Sequence, residues 1–318
     1  MGKGKNFGIR IVVALVAGAL ALSACKRGDD GEAARKAAEA ARVFAQHEKP
    51  WRDARAAELL APDGWTSLVG LHWIERGAHY AGSAPDNGLR LAKGPAHLGM
   101  FDLDAKGQVR FVPDGAATLT LDGQPLTGAT TLKAAMDAGG PNKLGFDDGK
   151  GVATIIRRGD RVGLRVKHAD ADTRAHFAGL QFWPGGPDWS VDARFIAHPP
   201  GKTLPIVNIV NMIEDVPNPG AIEFEREGKL HRLEVLDQGE PTLFLVYADR
   251  TSGHGSYPAG RYLDIARPAA DGKVVIDFNR GENPPCAFTP FATCPLPPTA
   301  NRLDLAVEAG ERMYVSKH

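Results

Sequence analysis

Val152-Ala153-Thr154-Ile155-Ile156-Arg157-Arg158-Gly159-Asp160-Arg161-Val162-Gly163-Leu164-Arg165-Val166-Lys167 is the most decisive stretch of this 318-residue chain. Two apolar runs flank Gly159-Asp160, a pair that supplies the positive φ and the polar cap of a tight turn. The second run alternates, with Val162, Leu164 and Val166 set against Arg161, Arg165 and Lys167. A period of two is that of a half-buried strand, so the stretch predicts an antiparallel hairpin with one face in a core.

The same texture extends in both directions. Short apolar runs at Trp65 to Trp73, Gly88 to Leu91, Phe101 to Leu103, Val109 to Val112 and Thr118 to Leu121 are separated by Gly, Asp, Asn or Pro. With Asp122-Gly123 as a further hairpin turn, they predict a small β-sandwich over residues 61–140. Further strands are expected at 191–197, 205–212, 221–227, 230–236, 242–247, 257–265, 273–278 and 303–307. These make residues 141–318 a larger antiparallel β domain, with the boundary in Gly139-Gly140-Pro141. The fold class expected is mainly β.

Ahead of the sandwich, Gly31 to Gln46 is rich in strong helix formers. Pro50 is expected to break this helix from a second, Trp51 to Leu60. Earlier still, Lys3, Lys5 and Arg10 precede the apolar run Ile11 to Leu22, which ends in Leu22-Ser23-Ala24-Cys25. That run is short for a bilayer span and has the layout of a cleavable export signal, residues 1–24. A cysteine after Leu-Ser-Ala is the pattern of a lipoprotein signal, so lipid on Cys25 is expected to hold residues 25–60 and the body to a membrane face. The expected location is the cell envelope. Lys26, rather than Asp, after the cysteine points to the outer membrane, facing the periplasm, if the host is Gram-negative.

Removing residues 1–24 leaves 294 residues and takes away three of the 38 basic side chains, so 35 face 38 acidic ones. There is no basic block, which argues against nucleic acid as a partner. Gly201-Lys202-Thr203 lacks the upstream glycine of a phosphate loop. Gly-x-Ser-x-Gly, His-Glu-x-x-His and Cys-x-x-Cys are absent, and the spacing of the ten histidines argues for no metal and no cofactor. Protein partners are not legible.

Two loops carry candidate chemistry. Asp249-Arg250-Thr251-Ser252-Gly253-His254-Gly255-Ser256-Tyr257 follows an apolar strand and is either a nucleophilic set or a turn capping its own backbone. Asp277 to Pro298 holds six prolines and two cysteines. In an oxidising envelope Cys286 and Cys294 are expected to pair, with free thiols or soft metal ligation as alternatives.

Trp65 to Trp73, Arg157 to Arg165, and the Asp277 to Pro298 run followed by Asn301-Arg302-Leu303 resemble the domain-of-unknown-function family numbered sixteen eighty-four, over roughly residues 50–315. The resemblance implies a β-rich fold and no established activity. Gly82-Ser83 followed by Asn87-Gly88-Leu89-Arg90-Leu91 is similar in layout to forkhead-associated sandwiches, which bind phosphothreonine. Those domains place arginine where Ser83 stands, and serine where Gly94 stands before His97, which weakens phosphopeptide binding as an expectation.

Two functions are expected to compete for a pocket beside the Pro/Cys loop. In one, a small polar or anionic molecule is bound by Arg165, Arg261 and Arg302, with Tyr257 and Asn279 fixing its orientation. In the other, a hydrolase uses His72 or His254 as base, oriented by Asp249 or Asp277.

Overall fold

The computed structural model describes residues 9–135 and 137–316, with side chains described for residue 32 and from residue 35 onward. The expected signal segment and Cys25 lie outside the residues whose side chains are described. The chain forms two compact units, Met1–Asp53 and Ala54–His318.

The first unit is helical. Helix α1 runs over Ile9–Leu59 as one element with Pro50 inside it, so the expected break into two helices does not occur. Lys36 pairs with Glu32, and Lys49 with Asp53, one turn along its surface. Among the described residues no helix is long and apolar enough to cross a membrane.

The second unit is built from mainly antiparallel sheets around two cores. Its first part contains β1 (Leu68–Ile74), β2 (Gly77–Gly82), β3 (Leu89–Arg90), β4 (Gly99–Leu103), β5 (Val109–Pro113), β6 (Thr120–Leu121) and β7 (Gln124–Pro125). It continues with β8 (Thr130–Leu132), β9 (Leu144–Phe146), β10 (Gly151–Arg158) and β11 (Arg161–His168). One sheet has the order β1-β11-β10-β9-β6-β7 and the other β3-β2-β4-β5-β8, with β2 and β3 the parallel pair. They share one core, in which Phe101, Phe111, Phe146, Ile155 and Leu164 are sealed from water, as in a β-sandwich.

The β10–β11 hairpin forms as the alternation requires, with Ile155 opposite Leu164 and Thr154 opposite Arg165. It pairs with β1 inside this sandwich. The hairpin expected to open the larger domain therefore completes the first core, and the Gly139-Gly140-Pro141 turn lies within it.

The second part contains β12 (Ser190–Ala197), β13 (Thr203–Val207), β14 (Ile213–Pro217), β15 (Gly220–Arg226), β16 (Lys229–Val235), β17 (Thr242–Tyr247), β18 (Arg261–Ala266) and β19 (Lys273–Asp277). A four-stranded sheet, β16-β15-β12-β19, and the hairpin β17-β18 surround a core centred on Phe278, while β13-β14 forms a separate hairpin. The Phe278 ring meets Tyr247 at 5.5 Å and Phe224 at 5.6 Å between centroids. Residues 303–307, expected as a strand, are buried on alternate side chains but join no sheet. They are held instead by contacts such as Leu303 N to Ala248 O and Arg250 N to Leu305 O.

The Pro/Cys loop joins the two parts. Cys286 and Cys294 form a disulfide. Ala292 and Cys294 pack with Leu68 and Trp65 in a third, small cluster. Thr289 Oγ1 donates to Leu68 O, and Arg158 Nε donates to Thr293 Oγ1. The loop is thereby fixed against β1 and β10.

Candidate functional site

Where the loop meets the sandwich, a cleft of about 310 Å³ opens. The strand alternation that buries Val162, Leu164 and Val166 turns Arg165 the other way, toward Trp65 at 5.4 Å from the ring centroid. Arg158 from β10, Arg55 from the last turn of α1, Phe244, Tyr262, Glu282 and Cys294 complete the walls that matter here.

Arg165 is the unusual member. Its Nε is buried without an acceptor, and no carboxylate pairs with it among the described residues. Burial, and then the neighbouring Arg158 charge, bring its pKa down to about 10, so it remains a cation at neutral pH. A buried guanidinium without a counter-ion is costly, and an anion supplied from outside offsets that cost.

Glu282 faces the same cleft with the opposite tendency. Burial pushes its carboxyl up to about 7, although Arg55 NH1 lies 3.2 Å away and pulls it down; Glu311, Glu58 and Asp264 add to the rise. Arg55 also bonds Glu311 through Nε at 3.0 Å and donates to Asn283 O. Glu311 is fully buried, and its second oxygen accepts from Asn283 N at 2.7 Å. Gly310 makes this approach possible. Its φ is +76°, and a Cβ there would sit 2.5 Å from Gly281 O. The cleft can thus hold an anion at Arg165 and exchange a proton at Glu282 near neutral pH.

The other expected site residues lie elsewhere or serve the fold. Arg261 is fully buried and ion-paired to Asp249 at 2.8 Å. It also donates to the carbonyls of Val307 and Ala309, so it is a core cross-link and not a ligand donor. Asn279 is buried and bonded to Gly186 at both its N–H and its carbonyl. Arg302 is exposed, away from the cleft lining. Tyr257 donates its hydroxyl to Cys286 O at 3.2 Å and is not among the residues lining the cleft.

The hydrolytic set does not assemble. Asp249 accepts from Arg261, Thr251 and Val307, and Asp277 caps Asn279 N. His254 is exposed, with only Ser252 O near Nδ1. His72, on β1, has a buried, unpartnered Nε2, and burial lowers its pKa. Among the described residues no hydrogen bond joins any of these histidines to Asp249 or Asp277. The 249–257 loop follows the alternative reading, a polar turn bonded to itself: Thr251 Oγ1 donates to Asp249 and accepts from the Ser256 hydroxyl. In the region similar to forkhead-associated sandwiches, Ser83 donates to Gly94 O within its own loop. No three His, Cys, Asp or Glu side chains gather as a metal site among the described residues.

Residues 175–312 match the family model described as Protein of unknown function (DUF1684). The chain belongs to this family. The matched span contains the Asp277 to Pro298 run and Asn301-Arg302-Leu303 but not residues 65–73 or 157–165. An uncharacterized protein of Haloarcula marismortui, solved by solution NMR, is 30% identical, with a TM-score of 0.37, over 44% of this chain and 78% of its own. No curated protein matches the chain. The DUF1684 span supplies Tyr262, Glu282, Cys294 and Glu311 to the cleft region. Arg55, Trp65, Arg158 and Arg165 come from outside it.

Reasoning from sequence missed Arg55, Arg158, Glu282 and Glu311. Glu282 and Arg158 lay inside the quoted family motifs and offered a signal. Arg55 offered none, because its partner Glu311 is 256 positions away.

Proposed function

We propose that this chain is a lipid-anchored envelope protein that binds a small anionic molecule, carboxylate- or phosphate-bearing, in the cleft beside the Pro/Cys loop. The observation that carries the reading is the Arg165 guanidinium, buried at Nε and without a counter-ion. Arg158 adds a second positive charge, and Trp65, Phe244 and Tyr262 supply apolar walls. A few convergent polar groups in a mostly apolar cleft are the usual make-up of a small-molecule site. A neighbouring cavity of about 530 Å³ shares Arg158, Gln238, Thr293 and Pro295 as walls and leaves room for a longer ligand.

Sulfate is a suitable probe because it stays ionised between pH 6 and 8. At about 100 times its dissociation constant it is expected to stabilise the protein by about 2.7 kcal/mol, read as a rise in Tm. Arg165→Met should abolish the rise while leaving the unliganded fold intact. Binding should also tighten from pH 8 to pH 6, as Glu282 protonates and ceases to repel the anion. No shift with sulfate or succinate in the unsubstituted protein would refute the reading.

Anchoring rests on Cys25 and the segment before it. Cys25→Ala is expected to leave unprocessed precursor or a soluble species. Metabolic labelling with a fatty acid checks this, and an unlabelled Cys25 protein would remove the lipoprotein part alone.

A further inference from the structure

The Cys286–Cys294 disulfide stands between two cavities. Cys286 is half-buried and lines one of about 270 Å³, together with Thr66, Thr173, His176, Phe288 and Tyr314. Cys294 is buried and lines the Arg165 cleft. The two sulfurs sit in unequal fields. Cys286 N donates to Cys294 Sγ at 3.1 Å, whereas Cys286 Sγ faces the Ala292 carbonyl oxygen at 3.7 Å. An amide N–H stabilises negative charge on sulfur, and a carbonyl oxygen opposes it. Arg158 and Arg165 favour charge at Cys294 further, since they line the same cleft.

In thiol–disulfide exchange the step is faster when the leaving thiol has the lower pKa, and it needs access to the sulfur attacked. Both conditions select the same direction here. Cys286 is the more exposed residue of the pair, and Cys294 is the better leaving group.

We propose that this disulfide is an exchange site at which a low-molecular-weight thiol becomes covalently joined to Cys286. The incoming thiol loses its proton to His176, whose Nδ1 donates to Asp172 O at 2.9 Å and leaves Nε2 as the basic nitrogen. The thiolate sulfur bonds to Cys286 Sγ as the Cys286–Cys294 bond breaks. The electron pair of that bond leaves on Cys294, beside the Cys286 N–H. This first step has no net oxidation: one disulfide is exchanged for another. A second molecule of the thiol then attacks the mixed disulfide, releases the oxidised dimer of the thiol, and leaves two protein thiols. Two electrons pass from the small thiols to the protein.

The test uses the folded full-length chain and reduced glutathione at millimolar concentration, quenched with acid and mapped by peptide mass. The expected product is a glutathione adduct on Cys286 that forms without unfolding. Arg165→Met should slow its formation about tenfold by raising the pKa of the leaving thiol. An adduct on Cys294 would overturn the proposal. So would a disulfide that reacts in urea but not in the folded chain, or an exchange rate that Arg165→Met leaves unchanged. None of these outcomes bears on sulfate binding, so the two claims fail separately.

Discussion

Asp249→Asn is expected to destabilise the fold by about 3–5 kcal/mol, the usual cost of leaving one half of a buried ion pair without its partner. Both side chains of the Asp249–Arg261 pair are completely shielded from water. One Asp249 oxygen takes Arg261, and the other takes the amide and hydroxyl of Thr251 at 2.7 and 2.6 Å. The substitution keeps the shape but leaves the guanidinium uncompensated among the carbonyls of Val307 and Ala309. Arg261→Met should cost a similar amount, since Asp249 then becomes the unpaired charge and residues 307–309 lose their clasp. Asp249→Leu combined with Arg261→Met should cost less than either single change, because no buried charge is left. Urea denaturation of the three variants measures this. Single changes worth under about 1 kcal/mol would show that the pair is not what secures the C-terminal segment.

The different fates of Arg165 and Arg261 show how far the sequence can be read. Both are arginines in strands, and both were expected to be ligand donors. Arg165 falls out of phase with Val162, Leu164 and Val166, so its strand turns it away from the core and into the cleft. Arg261 falls in phase with Leu263 and Ile265, and the strand buries it on the same face as those two. The alternation that located the hairpins also separates the two roles, once each arginine is assigned to a face.

Strands with apolar periodicity were legible for the same reason. Gly77–Gly82 was not, because Gly-Ala-His-Tyr-Ala-Gly carries no apolar alternation; it forms β2 by pairing with β4. Residues 303–307 show the converse. Their alternation reports burial of Leu303, Leu305 and Val307, which a strand ladder is not needed to provide. The charge state of the cleft was illegible for a different reason. It depends on Arg55 meeting Glu282 and Glu311, contacts that only the finished fold creates.

That junction gives the second large effect, and it depends on pH. Arg55 is nearly buried and bonds fully buried Glu311 and part-buried Glu282. Burial raises the pKa of both carboxyls even with Arg55 present, Glu282 to about 7. An acid whose folded pKa exceeds its unfolded value favours the folded state most when protonated. Its contribution is complete below about pH 4.5 and is lost as pH rises through the folded pKa. Glu282 alone should therefore make the protein less stable at pH 8 than at pH 5, and Glu282→Gln should flatten that slope. Arg55→Met removes the cation that offsets both charges. The folded pKa values of Glu282 and Glu311 should climb further, so the variant is expected to lose about 3–5 kcal/mol at pH 8. Much of that loss should be recovered at pH 5, where protonation disposes of the unpaired charges. Urea midpoints of both proteins across pH 5–8 give the comparison. A gap between them that stays constant with pH would mean that Arg55 acts through packing, and that burial does not raise the two carboxyls as stated.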